Sequence, residues 1–94
     1  MTIWKVTCEF TTSILVNGVE EVSHYSFGSY DGALMWVVNN ADTLRWASIE
    51  ENNYLPIDKN NPDGQLYIGC DVTQFFDRNE LLNMKYIYEN IKVA

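Results

Sequence analysis

Positive charge is scarce in this chain. It has six lysine and arginine residues against thirteen aspartate and glutamate residues, and its formal net charge at pH 7 is −7. Proteins that bind DNA or RNA directly do so through clustered Lys and Arg, so this composition argues against a nucleic-acid ligand. Because complementary charges steer association, it favours another protein with a basic surface as the partner.

Residues and motifs that support catalysis or metal binding are also scarce. The one histidine, His24, is expected on the surface of a strand. A general base needs a nucleophile or an orienting carboxylate within reach, and the pattern around His24 is that of ordinary strand-surface residues. Cys8 and Cys70 match no metal-ligand spacing, and we expect both thiols to be reduced and buried. Residues 58–64 resemble a calcium loop in composition, but Pro62 stands where an EF-hand requires a ligand. We therefore predict a protein that is not an enzyme, with no catalytic, metal-binding or cofactor-binding residues.

Long apolar runs are missing too. No segment approaches the roughly 18 apolar residues of a membrane span, and the N-terminal residues do not have the pattern of a secretory signal. We expect the protein to act in the cytoplasm of the producing cell or of a host cell. Its 94 residues, 47% of them hydrophobic, predict a single folded domain over residues 1–94 with one modest core.

The segment from Ser29 to Trp46 has the clearest pattern in the sequence. Ser29 is a suitable N-cap, Asp31 lies where the helix dipole favours a carboxylate, and a strand follows from about residue 43. The pattern predicts an amphipathic helix packed on a sheet. Its apolar residues recur at the spacing of one helical face: Tyr30, Ala33, Leu34, Val37, Val38 and Ala41.

The N-terminal part predicts a long hairpin. Residues 2–16 alternate between apolar and polar side chains, and Asn17-Gly18 is the signature of a type I′ turn. In the expected register, Val16 pairs with Val19, Phe10 with Tyr25 and Cys8 with Phe27. This register would pair Ile14 with Glu21, so we expect either a bulge or a tip that extends beyond the core.

The remainder of the chain predicts two more strands and a second helix. We expect strands at about residues 43–49 and 66–72, separated by a polar loop over residues 50–65 that leaves room for a short edge strand at 54–57. Asp77 and Glu80 form a capping box for a C-terminal helix, although residues 85–93 could instead form a final strand. The predicted fold class is α+β: an antiparallel sheet of four to five strands opened by the long hairpin, one central helix on a face, and a second helix at the C-terminus.

Two groups of residues are candidates for partner binding. The first group, on the central helix outside its apolar face, consists of Met35, Trp36 and Asn39. Trp is enriched at binding hot spots, and the flexible Met side chain adapts to different partners. These residues could also be covered by the C-terminal helix or by the 50–65 loop. The second group is acidic and could mimic a phosphate backbone or serve only solubility: Glu20, Glu21, Glu50, Glu51, Asp58 and Asp63.

These features favour a small acidic module that inhibits another protein or acts as an adaptor, as many phage and mobile-element inhibitors of host defence do. A homodimer is a further alternative. The competing hypothesis is a module that binds a small ligand or nucleotide, with Trp36, Trp46 or a tyrosine stacking on a base and Arg45 or Arg78 supplying positive charge.

Overall fold

A computed structural model describes residues 1–55, 59–60 and 66–93, with the backbone alone at positions 15, 16, 20 and 91–93. The elements in chain order are strands β1 (Thr2–Phe10), β2 (Leu15–Val16), β3 (Val19–Glu20) and β4 (Ser23–Phe27), helix α1 (Tyr30–Asn40), a 3-10 turn (Ala41–Thr43), strands β5 (Leu44–Tyr54) and β6 (Tyr67–Phe76), and helix α2 (Arg78–Val93). Among these, no helix is both long and apolar enough to cross a bilayer.

Four strands form an antiparallel sheet in the order β4-β1-β5-β6. Residues of both helices join the same buried cluster as residues of β1 and β5, so α1 and α2 pack on one face of the sheet, here called the helix face. The opposite face is called the open face. The α+β prediction, with a central and a C-terminal helix, is confirmed.

Helix α1 begins as the sequence predicts. The Ser29 hydroxyl accepts a hydrogen bond from the Gly32 N–H at 3.0 Å, and Asp31 lies in the first turn. The helix buries Ala33, Val37 and Val38. Small side chains dominate the core, which consists of Val6, Cys8, Ala33, Val37, Ala41, Leu44, Ala47, Ile49 and Leu81.

A bulge in β5 determines which of its residues reach this core. Glu9 pairs with Trp46 and Phe10 pairs with Leu44, so Arg45 is an extra residue in β5. Simple alternation would place Leu44 on the face opposite Ala47 and Ile49. Because Arg45 is extra, Leu44, Ala47 and Ile49 are all fully buried in one cluster.

The hairpin is predicted correctly at its tip and wrongly at its base. Val16 pairs with Val19, and Asn17 and Gly18 have φ values of 54° and 79°, as a type I′ turn requires. At the base, however, Cys8 pairs with Ser23 rather than with Phe27. The hairpin therefore contains two ladders, one between β1 and β4 and one between β2 and β3. They are separated by residues 11–14 on the first arm and by residues 21–22 on the second. The expected register is therefore shifted by four residues, and the tip forms its own two-stranded ladder.

Both later strands are longer than the sequence predicts. Strand β5 continues to Tyr54, so the assignment of residues 50–54 to a loop is wrong. This polar stretch is stable as a strand because it lies between β1 and β6, whose polar side chains form hydrogen bonds with its side chains. Thr2 donates to Asn53 at 2.8 Å, and Asn53 in turn donates to Asp71 at 2.9 Å. Of the short edge strand considered for residues 54–57, residue 54 belongs to β5 and residues 56–57 lie outside the described residues.

Helix α2 confirms the helical alternative for the C-terminal segment. The Glu80 N–H donates to the Asp77 carboxylate at 2.8 Å, and the Asp77 N–H donates to the Glu80 carboxylate at 3.4 Å, which is the predicted capping box. Leu81 is fully buried and Met84 packs against the core. Arg78 holds the start of the helix by donating to the carbonyls of residues 41, 42 and 44.

We expect Asp77→Ala to lower the free energy of unfolding by about 1 kcal/mol, since the first turn of α2 loses its cap while Leu81 still depends on that helix. Asp77→Asn is the matched control, because asparagine caps about as well as aspartate. The measurement is a urea melt of the three proteins. Equal losses in both variants would contradict a capping role.

Candidate functional site

Two of the three helix candidates are exposed as the sequence predicts. Asp31, Met35 and Asn39 are all exposed and recur every four residues, so they form the outward row of α1. Met35 is 38% exposed, and nothing in the described part of the chain buries it.

Trp36 does not project into solvent, and that expectation is wrong. Its ring lies 4.5 Å from the Tyr25 ring and about 6 Å from the rings of Phe27 and Phe10, at centroid distances of 6.3 and 6.5 Å. Helix α1 contacts β1 and β4, so the aromatic side chains of the hairpin cover Trp36. Within the described residues, these rings cover Trp36, whereas most of the 50–65 loop lies outside them.

The acidic candidates that the structure describes do not lie together. Glu21 is exposed between the two ladders of the hairpin, and Glu20 belongs to the tip strand β3. Glu50 and Glu51 are consecutive residues of β5, so their side chains point to opposite faces of the sheet. Glu50 lies opposite Lys5 in the register of β1 and β5. Asp58 and Asp63 lie outside the described residues.

Helix α2 presents an exposed surface that the sequence analysis missed, here called the α2 outer face. It includes Tyr86 and Ile87, which are 68% and 57% exposed, and it contains no charged residue. The full set is Asn79, Leu82, Asn83, Tyr86, Ile87 and Asn90. The sequence predicts that the buried face of this helix contains Leu81, Met84 and Tyr88. Three large apolar residues then fall outside the buried face, and this pattern could have predicted the exposed surface: Leu82, Tyr86 and Ile87.

A second exposed apolar surface runs along strand β6, at the edge of the sheet. Tyr67, Ile68 and Phe75 are each at least half exposed. The Phe75 ring stacks on Trp46 at a centroid distance of 5.8 Å and an interplanar angle of 24°. Phe76 instead packs against the core, so Phe75 lies on the open face.

The open face also carries a buried carboxylate. Glu9 is 2% exposed, and it accepts hydrogen bonds from Arg45 at 2.5 Å and from the Trp46 indole at 3.0 Å. Arg45 further donates to the carbonyl of Thr11 at 3.2 Å. Since Trp46 is stacked and Arg45 is paired, this cluster stabilises the junction of β1 and β5 and presents no free base-stacking site.

The remaining candidates for chemistry are isolated. His24 is exposed and its Nδ1 lies 3.0 Å from the Thr7 hydroxyl on the neighbouring strand. Within the described residues, no group of three or more His, Cys, Asp or Glu side chains could hold a metal ion. Cys8 is buried as expected, whereas the expectation that Cys70 is buried is wrong, because Cys70 is exposed on β6.

Comparisons of the chain with protein-family models, with curated proteins and with solved structures found no match.

The position of Trp36 predicts its contribution to stability. Trp36→Ala should cost about 3 kcal/mol or more of unfolding free energy, because it removes a half-buried ring that contacts three others. Met35→Ala, one residue earlier and exposed, is the control and should cost less than about 1 kcal/mol. Guanidinium melts of both variants provide the measurement, and a small loss for Trp36→Ala would show that the hairpin does not cover it.

The two cysteines should react at very different rates. Burial raises the pKa of the Cys8 thiol to about 11, while Cys70 is exposed. At pH 8 a thiol reagent should modify Cys70 quickly and Cys8 only on unfolding. Because the folded state keeps Cys8 protonated, stability should fall as pH rises from about 9 towards 11, where the unfolded chain releases that proton. Cys8→Ser should remove this pH dependence, and fast labelling of both thiols in the native protein would contradict the assignment.

Proposed function

We propose that the protein is a non-enzymatic binding module, an inhibitor or adaptor, that contacts another protein through the outer surface of its helix layer. The observation that carries the proposal is the α2 outer face, where Tyr86 and Ile87 are exposed and uncharged in a chain of net charge −7. The outward row of α1, with Met35 and Asn39, belongs to the same helix layer.

The chemistry of the α2 outer face suits protein recognition. Tyrosine is enriched at binding hot spots, because it buries a large rigid area and also offers a hydroxyl. Burial of Leu82, Tyr86 and Ile87 would remove apolar surface from water at roughly 25 cal/mol per Å². The intervening asparagines can exchange hydrogen bonds with a partner without the desolvation cost of a charge. A groove that accepts one face of a helix is the complementary shape.

Charge around the helix layer favours a partner with a basic rim. Asp31, Asp42, Glu80 and Glu89 are exposed residues on or beside the helices. Lys85 lies 3.7 Å from Asp42 and 3.6 Å from Glu89, so it offsets part of this charge. Exposed ion pairs of this kind contribute little to stability, which leaves the acids able to steer a basic partner. Mimicry of a phosphate backbone has less support, since Glu50 and Glu51 lie on opposite faces.

The small-ligand alternative also has less support. It requires positive charge from Arg45 or Arg78 beside an available aromatic ring. Arg45 is bound to Glu9, and Arg78 is bound to three backbone carbonyls. Trp36 and Trp46 already contact other rings. A nucleotide would have to displace these contacts, at the expense of the fold.

Photo-crosslinking tests the proposal. A photoreactive amino acid at position 86 should crosslink one protein in lysate of the producing or host cell, whereas the same amino acid at Thr7 on the open face should not. Once that protein is purified, Tyr86→Ala with Ile87→Ala should weaken its binding by about 30-fold or more, as loss of a hot spot does. Thr7→Ala is the matched control, and both variants should melt close to the native protein.

The dependence on salt gives a second readout. If acidic residues steer a basic partner, the association rate should fall as the salt concentration rises, while the dissociation rate changes less. Crosslinking from position 7 and not from position 86, or unchanged affinity in the double variant, would contradict the proposed surface.

A further inference from the structure

We infer that two copies of this chain pair through the outer edge of strand β6, within residues 73–76, to form a two-fold symmetric dimer with a continuous eight-stranded sheet. This surface lies on the sheet edge and is separate from the α2 outer face, so the inference does not depend on the proposed function.

The two edges of the sheet differ in length and composition. Strand β4 has only five residues, Ser23–Phe27, and short polar edge strands pair poorly with other chains. Strand β6 has ten residues, Tyr67–Phe76, with exposed apolar side chains along it. A long apolar edge strand carries a row of backbone donors and acceptors that another strand can satisfy.

The regularity of β6 limits where such pairing can occur. Cys70 pairs with Asn52 and Thr73 pairs with Glu50, so β6 holds an extra residue between them. A second extra residue follows Tyr67, near Gly69, whose φ of 155° glycine adopts readily. Residues 73–76, in contrast, pair without interruption with residues 47–50 of β5. Because bulges disrupt a ladder, only this stretch offers a regular outer edge.

A two-fold axis through this stretch brings like surfaces together. Gln74 accepts a hydrogen bond from the Tyr30 hydroxyl at 2.7 Å on the helix face, and Phe75 lies on the open face. Antiparallel pairing of β6 with its copy keeps each face on its own side. The Phe75 rings of both copies would therefore meet on the open face, each stacked on its own Trp46, as a row of four aromatic rings.

The composition of this edge allows a second copy to be the occupant. Asp71 is the one charged residue of β6, and its carboxylate accepts a hydrogen bond from Asn53. Two molecules of charge −7 can therefore approach at this edge without opposing acids.

Sedimentation velocity of the whole chain, from about 1 to 100 μM, tests the dimer. We expect a concentration-dependent dimer that added salt strengthens, because screening reduces the repulsion between acidic copies. Thr73→Lys with Phe75→Lys places positive charges across the axis and should yield a monomer. Ser26→Lys, on the β4 edge, is the matched control and should remain dimeric.

Disulfide trapping supports the test if the lysine variant does not fold. In a Cys70→Ser background, Phe75→Cys, at the residue where the two copies meet, should form a crosslinked dimer under mild oxidation, whereas Ser26→Cys should not. A chain that stays monomeric throughout the range, or a dimer that Ser26→Lys abolishes and the β6 variant does not, would overturn the inference. Neither outcome would affect crosslinking from position 86, so failure of the dimer and failure of the proposed function are distinguishable.

Discussion

The buried carboxylate of Glu9 is the contact on which the rest of the structure depends. Arg45 and the Trp46 indole both donate to it, and Arg45 is the extra residue that shifts β5 relative to β1. A buried acid without partners is unfavourable, so removing either donor would strain the strand junction. The same shift brings Leu44 to the face of Ala47 and Ile49, where α1 and α2 pack. The contact between Glu9 and Arg45 on the open face thus determines which residues of β5 enter the apolar core on the helix face.

That core is small, and its size explains the exposed surfaces. Three of its nine residues are alanines, and in the described part of the chain both helices pack on the same face of the sheet. The molecule is about one helix and one sheet thick, with extents of 49 × 43 × 18 Å. Its radius of gyration is 15.9 Å, against about 12 Å for a compact chain of this length. A thin two-layer fold leaves apolar side chains of β6 and α2 in water. Burial of these side chains against other chains is a physical route to a larger core.

Local signals in the sequence predicted local structure well, and non-local structure less well. The Ser29 cap, the Asn17-Gly18 turn and the Asp77–Glu80 capping box each involve neighbouring residues, and each is present. The hairpin register and the length of β5 depend on neighbouring strands, which composition does not reveal. The polar run from Glu50 to Asn53 resembles a loop until β1 and β6 flank it. Trp36 was misplaced for the same reason, since rings from β1 and β4 cover it.

The irregularities of β6 also limit how far pairing at this edge of the sheet can extend. An uninterrupted ten-residue edge could recruit further chains, and pairing at both edges of the sheet would extend without limit. The two extra residues between Tyr67 and Thr73 leave one short regular stretch, and the opposite edge, β4, is short and polar. The proposed pairing of β6 with its own copy would occupy that stretch, so the assembly would close at two. The helix layers of both copies would then lie on the same side of the joined sheet. Two α2 outer faces displayed together would bind a repetitive or dimeric partner more tightly than one, without any new contact.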